Sequence, residues 1–202
     1  MKLLTRVKAI EVKRSFVVSD FIRHHQYGTG AMAALGKSAY RAELAKAKEV
    51  VLRIPEALLD AIIKGTIEKR IVAYNKLGWH IAEVSTEEVR VWAGAGGLPK
   101  KWTNRSLKET GDFVREALKK NPRSLGHRAR TAIPEIMKTS LPLLEKEKYL
   151  FPIAVPFGTL DKKGRIRFKG DIDDGCMRSI TLAVSGKKKI KMYVGTPNKK
   201  AR

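Results

Sequence analysis

The strongest constraint on the fold is a stretch near the C-terminal end in which three short runs alternate apolar and polar side chains. The runs are residues 164–169, 177–184 and 189–194, and turn residues separate them. Side chains alternate across a β-strand, so each run predicts one apolar and one polar face. We therefore expect an antiparallel β-meander with an apolar underside and a basic upper face. The upper face would carry Arg165, Arg167, Lys169, Lys189, Lys191 and Tyr193, with Lys187 and Lys188 in the last turn.

This basic face belongs to a chain with a large excess of positive charge. The 202 residues include 42 Lys and Arg against 20 Asp and Glu, which gives a formal net charge of +22. Hydrophobic residues make up 43%, which is ordinary for a folded protein and excludes a disordered basic tail. A folded body with this charge is typical of proteins that bind a polyanion, and DNA or RNA is the simplest such partner. We expect no cofactor, and the sequence does not indicate an oligomeric state.

Cysteine content and hydropathy limit the compartment. The single cysteine, Cys176, excludes an intramolecular disulfide and a zinc site built from several cysteines. No apolar run reaches the ~18 residues that a membrane-spanning helix requires. The first residues carry charge without the apolar segment of a secretory signal. These features predict a soluble, intracellular (cytoplasmic) protein without a membrane partner.

The first two-thirds of the chain carries helical patterns. Residues 31–53 and 55–77 place apolar side chains at helical spacing. Ser106 and Glu109 match a capping box, which predicts a helix that runs to Lys120. Residues 79–92 favour a small hairpin. The predicted fold is α+β: a mainly helical body (1–148), a β-rich C-terminal subdomain that shares its core (149–196) and a basic tail (197–202).

A second basic segment is the glycine-rich loop of residues 92–105. Its candidate nucleic-acid-binding residues are Lys100, Lys101, Trp102 and Arg105. Glycines let a backbone approach a ligand closely, and a tryptophan beside cations can stack on an unpaired base. The alternative interpretation is that the tryptophans anchor the loop to the core. We assign Trp79 and Trp92 to the core on that basis and leave both interpretations open for Trp102.

An acidic cluster interrupts the basic C-terminal end. Asp171, Asp173 and Asp174 stand directly before Gly175. Carboxylates two residues apart can share a hard metal ion, as in metal-dependent nucleases. The alternative is an Asp/Gly turn whose charges face neighbouring lysines. An EF-hand loop is excluded, because Leu182 occupies the position of its bidentate glutamate.

These observations favour a non-catalytic protein that grips the phosphate backbone of nucleic acid with a basic sheet face. One alternative is a metal-dependent nuclease or related phosphotransfer enzyme that uses the Asp171–Asp174 cluster. Another is a ribonucleoprotein assembly component that folds fully only with its RNA. The sequence does not distinguish DNA from RNA, or single from double strands.

Overall fold

A six-stranded sheet organises the computed structural model, which describes residues 1–29, 36–66, 68–155 and 171–197. Within these ranges all side chains are described except those of residues 23–29, 36, 37, 39, 66, 68, 69 and 171. Neighbouring strands are antiparallel, except that β6 and β4, and β5 and β3, are parallel. The strand order is β1 (Lys2–Val7), β2 (Leu77–Ser85), β6 (Lys189–Pro197), β4 (Ile153–Val155), β5 (Asp171–Asp174) and β3 (Arg90–Val91).

Nine α-helices accompany the sheet in the described part of the chain, which confirms the α+β prediction. The predicted capping box begins one of them: Ser106 Oγ accepts from the Glu109 N–H at 3.2 Å, and the Ser106 N–H donates to Glu109 Oε2 at 3.1 Å. The helices are α1 (Ala9–Thr29), α2 (Gly36–Arg53), α3 (Glu56–Thr66), α4 (Glu68–Lys76), α5 (Lys100–Thr103), α6 (Leu107–Lys120), α7 (His127–Thr139), α8 (Leu141–Lys146) and α9 (Cys176–Val184).

The β2–β6 pair lies in the middle of the core. Nine residues of each strand pair in unbroken antiparallel register, from Leu77 opposite Pro197 to Ser85 opposite Lys189. One face of the pair buries Ala82, Val84, Ile190, Met192 and Val194. These residues belong to a single hydrophobic cluster that extends along the chain from Val12 to Val194.

The opposite face of the β2–β6 pair is covered at one end by aromatic side chains. Trp79 contacts Tyr74 edge-on with ring centroids 5.2 Å apart, and Tyr74 contacts Phe16 of α1 at 6.2 Å. Tyr193 lies under Phe151 at 6.2 Å and is fully buried. The placement of Tyr193 on an exposed basic face was therefore wrong, because helix and loop side chains cover this part of the face that strand alternation alone assigned to solvent.

The predicted meander is wrong in its middle run. Residues 177–184 form helix α9, while the third run is strand β6 as predicted, and the first run, with Arg165, Arg167 and Lys169, lies outside the described residues. Gly175 begins α9 with φ = 85°, a left-handed conformation that favours glycine and turns the chain out of β5. Helix α9 is buried on almost every side, and its hydroxyls of Ser179 and Thr181 donate to carbonyls four residues earlier. Polar Ser179 and Thr181 alternate with apolar Ile180 and Leu182, so this short segment also fits the period of a strand.

The hairpin predicted for residues 79–92 is also wrong. Strands β2 and β3 do not pair: β2 lies between β1 and β6, while β3 pairs with β5 at the far edge of the sheet. The turn between β2 and β3 instead forms hydrogen bonds with other segments of the chain. The Thr86 N–H donates to the Lys188 carbonyl at 2.9 Å, and the Lys108 N–H donates to the Thr86 carbonyl at 2.9 Å. These hydrogen bonds hold the turn across the end of the sheet, and β3 then lies at the sheet edge opposite β1.

Candidate nucleic-acid interface

The glycine-rich loop leaves the edge strand β3 and is fixed to helix α5. Gly94 has φ = 83° and Gly96 has φ = 67°, values that side chains with a Cβ rarely adopt. The Gly94 N–H donates to Thr103 Oγ1 at 2.7 Å, and the same hydroxyl donates to the Lys100 carbonyl at 3.2 Å. Because Thr103 is fully buried, this bond pair holds the loop in a set position beside Lys100.

Two of the four binding residues predicted in this segment are free to contact a ligand. Lys100 and Lys101 are exposed and form no ion pair with any described residue. Arg105 is engaged: its guanidinium lies 3.3 Å from Glu109 and 5.5 Å from the centroid of the Phe113 ring. Trp102 stacks on the same Phe113 ring at 5.9 Å with an interplanar angle of 10°. Trp102 is thus a partly buried anchor of α5 against α6.

The exposed tryptophan of this segment is Trp92, not Trp102. The assignment of Trp92 to the core was wrong, since 53% of its surface is exposed. It directly follows the two-residue edge strand β3, where no further strand of the described residues covers it. A Cβ built on Gly94 would lie 3.9 Å from Lys100 Cγ and 4.0 Å from Trp92 Cζ3, so both side chains flank Gly94.

A third group of cations adjoins this loop and was missed by the sequence reasoning. Residues 89–107 and 117–134 contain no Asp or Glu, and they carry four and five Lys and Arg residues respectively. The two segments meet where a Cβ on Gly126 would lie 2.9 Å from the Gly97 carbonyl oxygen. The second segment contributes Lys119 at the end of α6 and Arg123, Arg128 and Arg130 around the start of α7, with His127 beside them. The absence of acidic residues from 117–134 was the signal that could have identified them.

We call residues 92–105 together with 119–130 the glycine-loop surface. Within it, Lys100, Lys101, Arg123, His127 and Arg130 form no ion pair with any described residue. Gly126, the residue before α7, has no side chain that could cap the free N–H groups of the first turn. The positive end of that helix therefore adds to the field of the neighbouring cations.

The lysines of the predicted sheet face lie among acidic residues. Lys187 pairs with Glu145, and Lys189 lies 3.5 Å from Glu83. Lys188 and Lys191 are exposed without an ion pair in the described part of the chain, although Lys191 stands opposite Glu83 in the β2–β6 register. This face is therefore mixed in charge. The two backbone hydrogen bonds of Thr86 connect the turn that contains Lys188 to the start of α6, which follows Arg105 in the chain.

Asp173 belongs to a buried contact between β5 and α4. Its Oδ2 lies 2.7 Å from Arg70 Nε and accepts a hydrogen bond from the Tyr74 hydroxyl at 2.9 Å. Burial raises the pKa of this carboxyl, and the Arg70 charge opposes that change. Removing Asp173 would leave the Arg70 charge partly buried without its partner.

Asp174 forms a separate contact that joins β5, α9 and α1. Its Oδ2 lies 2.9 Å from Arg178 Nη2 and accepts from Ser19 Oγ at 3.0 Å. Both carboxylates are therefore matched by arginines, whereas a divalent cation would need them free. The side chain of Asp171 lies outside the described residues, and no group of three His, Cys, Asp or Glu suited to a metal occurs among the side chains that are described.

Cys176 stands at the start of α9, beneath the glycine loop. Burial raises the pKa of its thiol to about 12, and the nearby Asp174 charge acts in the same direction. The thiol donates to the Ile172 carbonyl at 3.6 Å. It is protonated at neutral pH, so it is not an activated nucleophile.

No protein-family model matches the chain, and no curated protein or solved structure shows significant similarity to it. Across the described residues, every helix is too short or too polar to cross a bilayer.

Proposed function

We propose that this protein binds nucleic acid and contacts its phosphates mainly through the glycine-loop surface. The observation that carries the proposal is the meeting of two acid-free basic segments at the contact between Gly97 and Gly126. Elsewhere many lysines and arginines pair with carboxylates, as Lys108 does with Asp112 and Lys46 with Glu43. Unpaired cations that cluster on one surface attract a polyanion and release its counterions on binding.

Lys188 and Lys191 form a secondary basic area in this proposal. They have no acidic partner among the described residues, but Glu83 and Glu145 lie within the same area. Acidic side chains repel phosphates at short range, so this area contributes less binding per lysine than the glycine-loop surface. This reverses the order of importance that the sequence pattern suggested.

Charge-removing variants test which surface contacts phosphate. The test variant is Lys100→Gln/Lys101→Gln, and binding to labelled DNA and RNA is measured by fluorescence anisotropy over a range of salt concentrations. Each lost phosphate contact reduces the slope of log K against log salt by about 0.7 to 0.9, so we expect a reduction of about 1.4 to 1.8. The secondary pair, Lys188→Gln/Lys191→Gln, should reduce the slope by less than half of that.

Lys2→Gln/Arg6→Gln is the matched control. Both residues are exposed, have no ion pair in the described part of the chain and lie on β1, at the sheet edge opposite β3. The same two charges are removed, so a general effect of net charge would appear equally in this variant. An equal loss in control and test variants would contradict the assignment of the surface. Absence of binding to every nucleic acid would contradict the function itself.

A further inference from the structure

Trp92 has an environment that differs from that of the other two tryptophans. Trp79 is almost fully buried, and Trp102 is stacked on Phe113. Trp92 exposes 53% of its surface and is the most exposed aromatic side chain among those described. An indole left in water forgoes the stabilisation that its large apolar area would gain from burial. Tryptophan is enriched at contact surfaces, where its apolar area is buried on binding and its polar atom can still reach a partner.

The loop that carries the exposed ring is held in place by its surroundings. The Ala95 N–H donates to the Trp92 carbonyl at 3.0 Å, which fixes the backbone at Trp92. The next glycine is fixed as well, because the Gly94 N–H donates to the buried Thr103 hydroxyl. Gly96 lies directly against Met177 of α9, where a Cβ would overlap the Met177 side chain. The loop is therefore already ordered, and little backbone entropy is lost when a flat ligand covers the ring.

The charged residues around Trp92 favour an anionic ligand. Lys100 flanks the same glycine as the indole, Lys101 follows it, and the segment from 89 to 107 contains no carboxylate that would repel a phosphate. A ring that offers a flat apolar surface beside cations matches a base joined to a phosphodiester chain. In a duplex each base is covered by its neighbours, so only an unpaired base can present its face to the indole.

We propose that Trp92 stacks on an unpaired base and that Lys100 contacts a neighbouring phosphate, so the protein prefers single strands to duplex. This inference rests on the proposed function, and it adds the class of nucleic acid that the glycine-loop surface binds. The stacking contact is common to single-stranded DNA and RNA. Measuring the affinity for DNA and for RNA oligonucleotides of the same length therefore shows which of the two is the natural ligand.

The test compares Trp92→Ala and Trp92→Phe with the unchanged protein. The probes are labelled oligothymidylate, oligouridylate and a hairpin duplex of about a dozen nucleotides per strand. Loss of one base–aromatic stack should weaken single-strand binding about 5- to 150-fold in Trp92→Ala, and duplex binding should stay the same. Trp92→Phe keeps an aromatic face and should recover most of the affinity. Phe21→Leu, which alters the other exposed aromatic of the described residues, should have no effect.

The outcomes separate this inference from the function on which it rests. If Trp92→Ala binds single strands as the unchanged protein does, or weakens duplex equally, the stacking role is wrong even when Lys100→Gln/Lys101→Gln still weakens binding. If no probe binds, both proposals fall. Tryptophan fluorescence gives a second readout, since stacking should quench the emission of the unchanged protein and leave that of Trp92→Phe nearly constant. Melting temperatures of the variants confirm that each is folded.

Discussion

Helices α6 and α9 approach each other closely at Gly111, which makes Gly111→Ala a sensitive test of the fold. A Cβ at this position would lie 2.6 Å from Ala183 Cβ and 2.9 Å from the Ala183 carbonyl carbon. Real Cβ contacts are never this short, so α6 and α9 would have to separate. Because the obstruction includes backbone atoms, rotation of a side chain cannot relieve it.

The expected magnitude is the difference between two effects. Alanine is favoured over glycine inside a helix by roughly 1 kcal/mol, and overpacking a close contact costs roughly 1–3 kcal/mol. Separation of the helices is also resisted by Arg115, whose guanidinium donates to the carbonyls of Ala183 and Val184 at 2.7 Å each. These bonds fix the end of α9 against α6. We therefore expect an overpacking cost in the upper part of that range, about 2–3 kcal/mol, and a net loss of about 1–2 kcal/mol in the free energy of unfolding.

Gly65→Ala is the matched control for this substitution. Gly65 lies near the end of α3, and a Cβ there would meet no atom within 4 Å. It should stabilise the protein by about 0.5–1 kcal/mol, so the two variants shift stability in opposite directions. Thermal unfolding detects this, since 1 kcal/mol corresponds to about 2–4 °C for a chain of this length. A Gly111→Ala protein as stable as the unchanged one would refute the helix contact.

Two further predictions concern polar groups that hold helices in place. Ser106→Ala should cost about 1 kcal/mol at neutral pH because α6 loses its cap. The Ser106 hydrogen bonds lower the pKa of Glu109. Their stabilisation is therefore present above the ordinary glutamate pKa and is lost as the pH falls through the lowered pKa of the folded protein. Urea unfolding should give a smaller difference in stability between the variant and the unchanged protein at about pH 3.5 than at about pH 7. Buried Lys13 lies 2.8 Å from Glu56 and 2.7 Å from Asp60, and both carboxylates reach solvent. Glu56→Gln/Asp60→Asn should therefore cost about 3–5 kcal/mol by stranding the buried ammonium, and a larger loss in Lys13→Met would contradict this.

Local signals in the sequence predicted several elements correctly. The Ser106–Glu109 capping box begins α6, and alternation in residues 189–194 forms β6. Of the helix predicted over residues 31–53, residues 36–53 form α2 and residues 31–35 lie outside the described residues. Each of these signals depends on residues within a few positions of one another. A capping box or a period is a property of the segment itself, so no knowledge of the rest of the fold is needed.

The errors arose where distant segments decide the structure. Helix α9 packs against α6 and α7, as the contact of Gly111 with Ala183 illustrates, and its residues 179–182 alternate polar and apolar side chains in a way that also fits a strand. Tyr193 is buried because Phe151, over forty residues earlier, lies across its ring. Trp92 is exposed because β3 is an edge strand, a position set by its pairing with β5. None of these partners can be read from the local pattern.

The candidate interface combines both kinds of information. Its charges are visible in the sequence as two acid-free runs, but their contact at Gly97 and Gly126 depends on how α7 packs against the loop. In the folded protein Lys100 and Lys101 have no acidic partners among the described residues, whereas Arg105 pairs with Glu109. Counting basic residues therefore ranks the 187–191 segment first, and counting those that remain unpaired after folding ranks the glycine-loop surface first. Since phosphate affinity depends on cations that are free to release counterions, the second ranking is the one that binding measurements should follow.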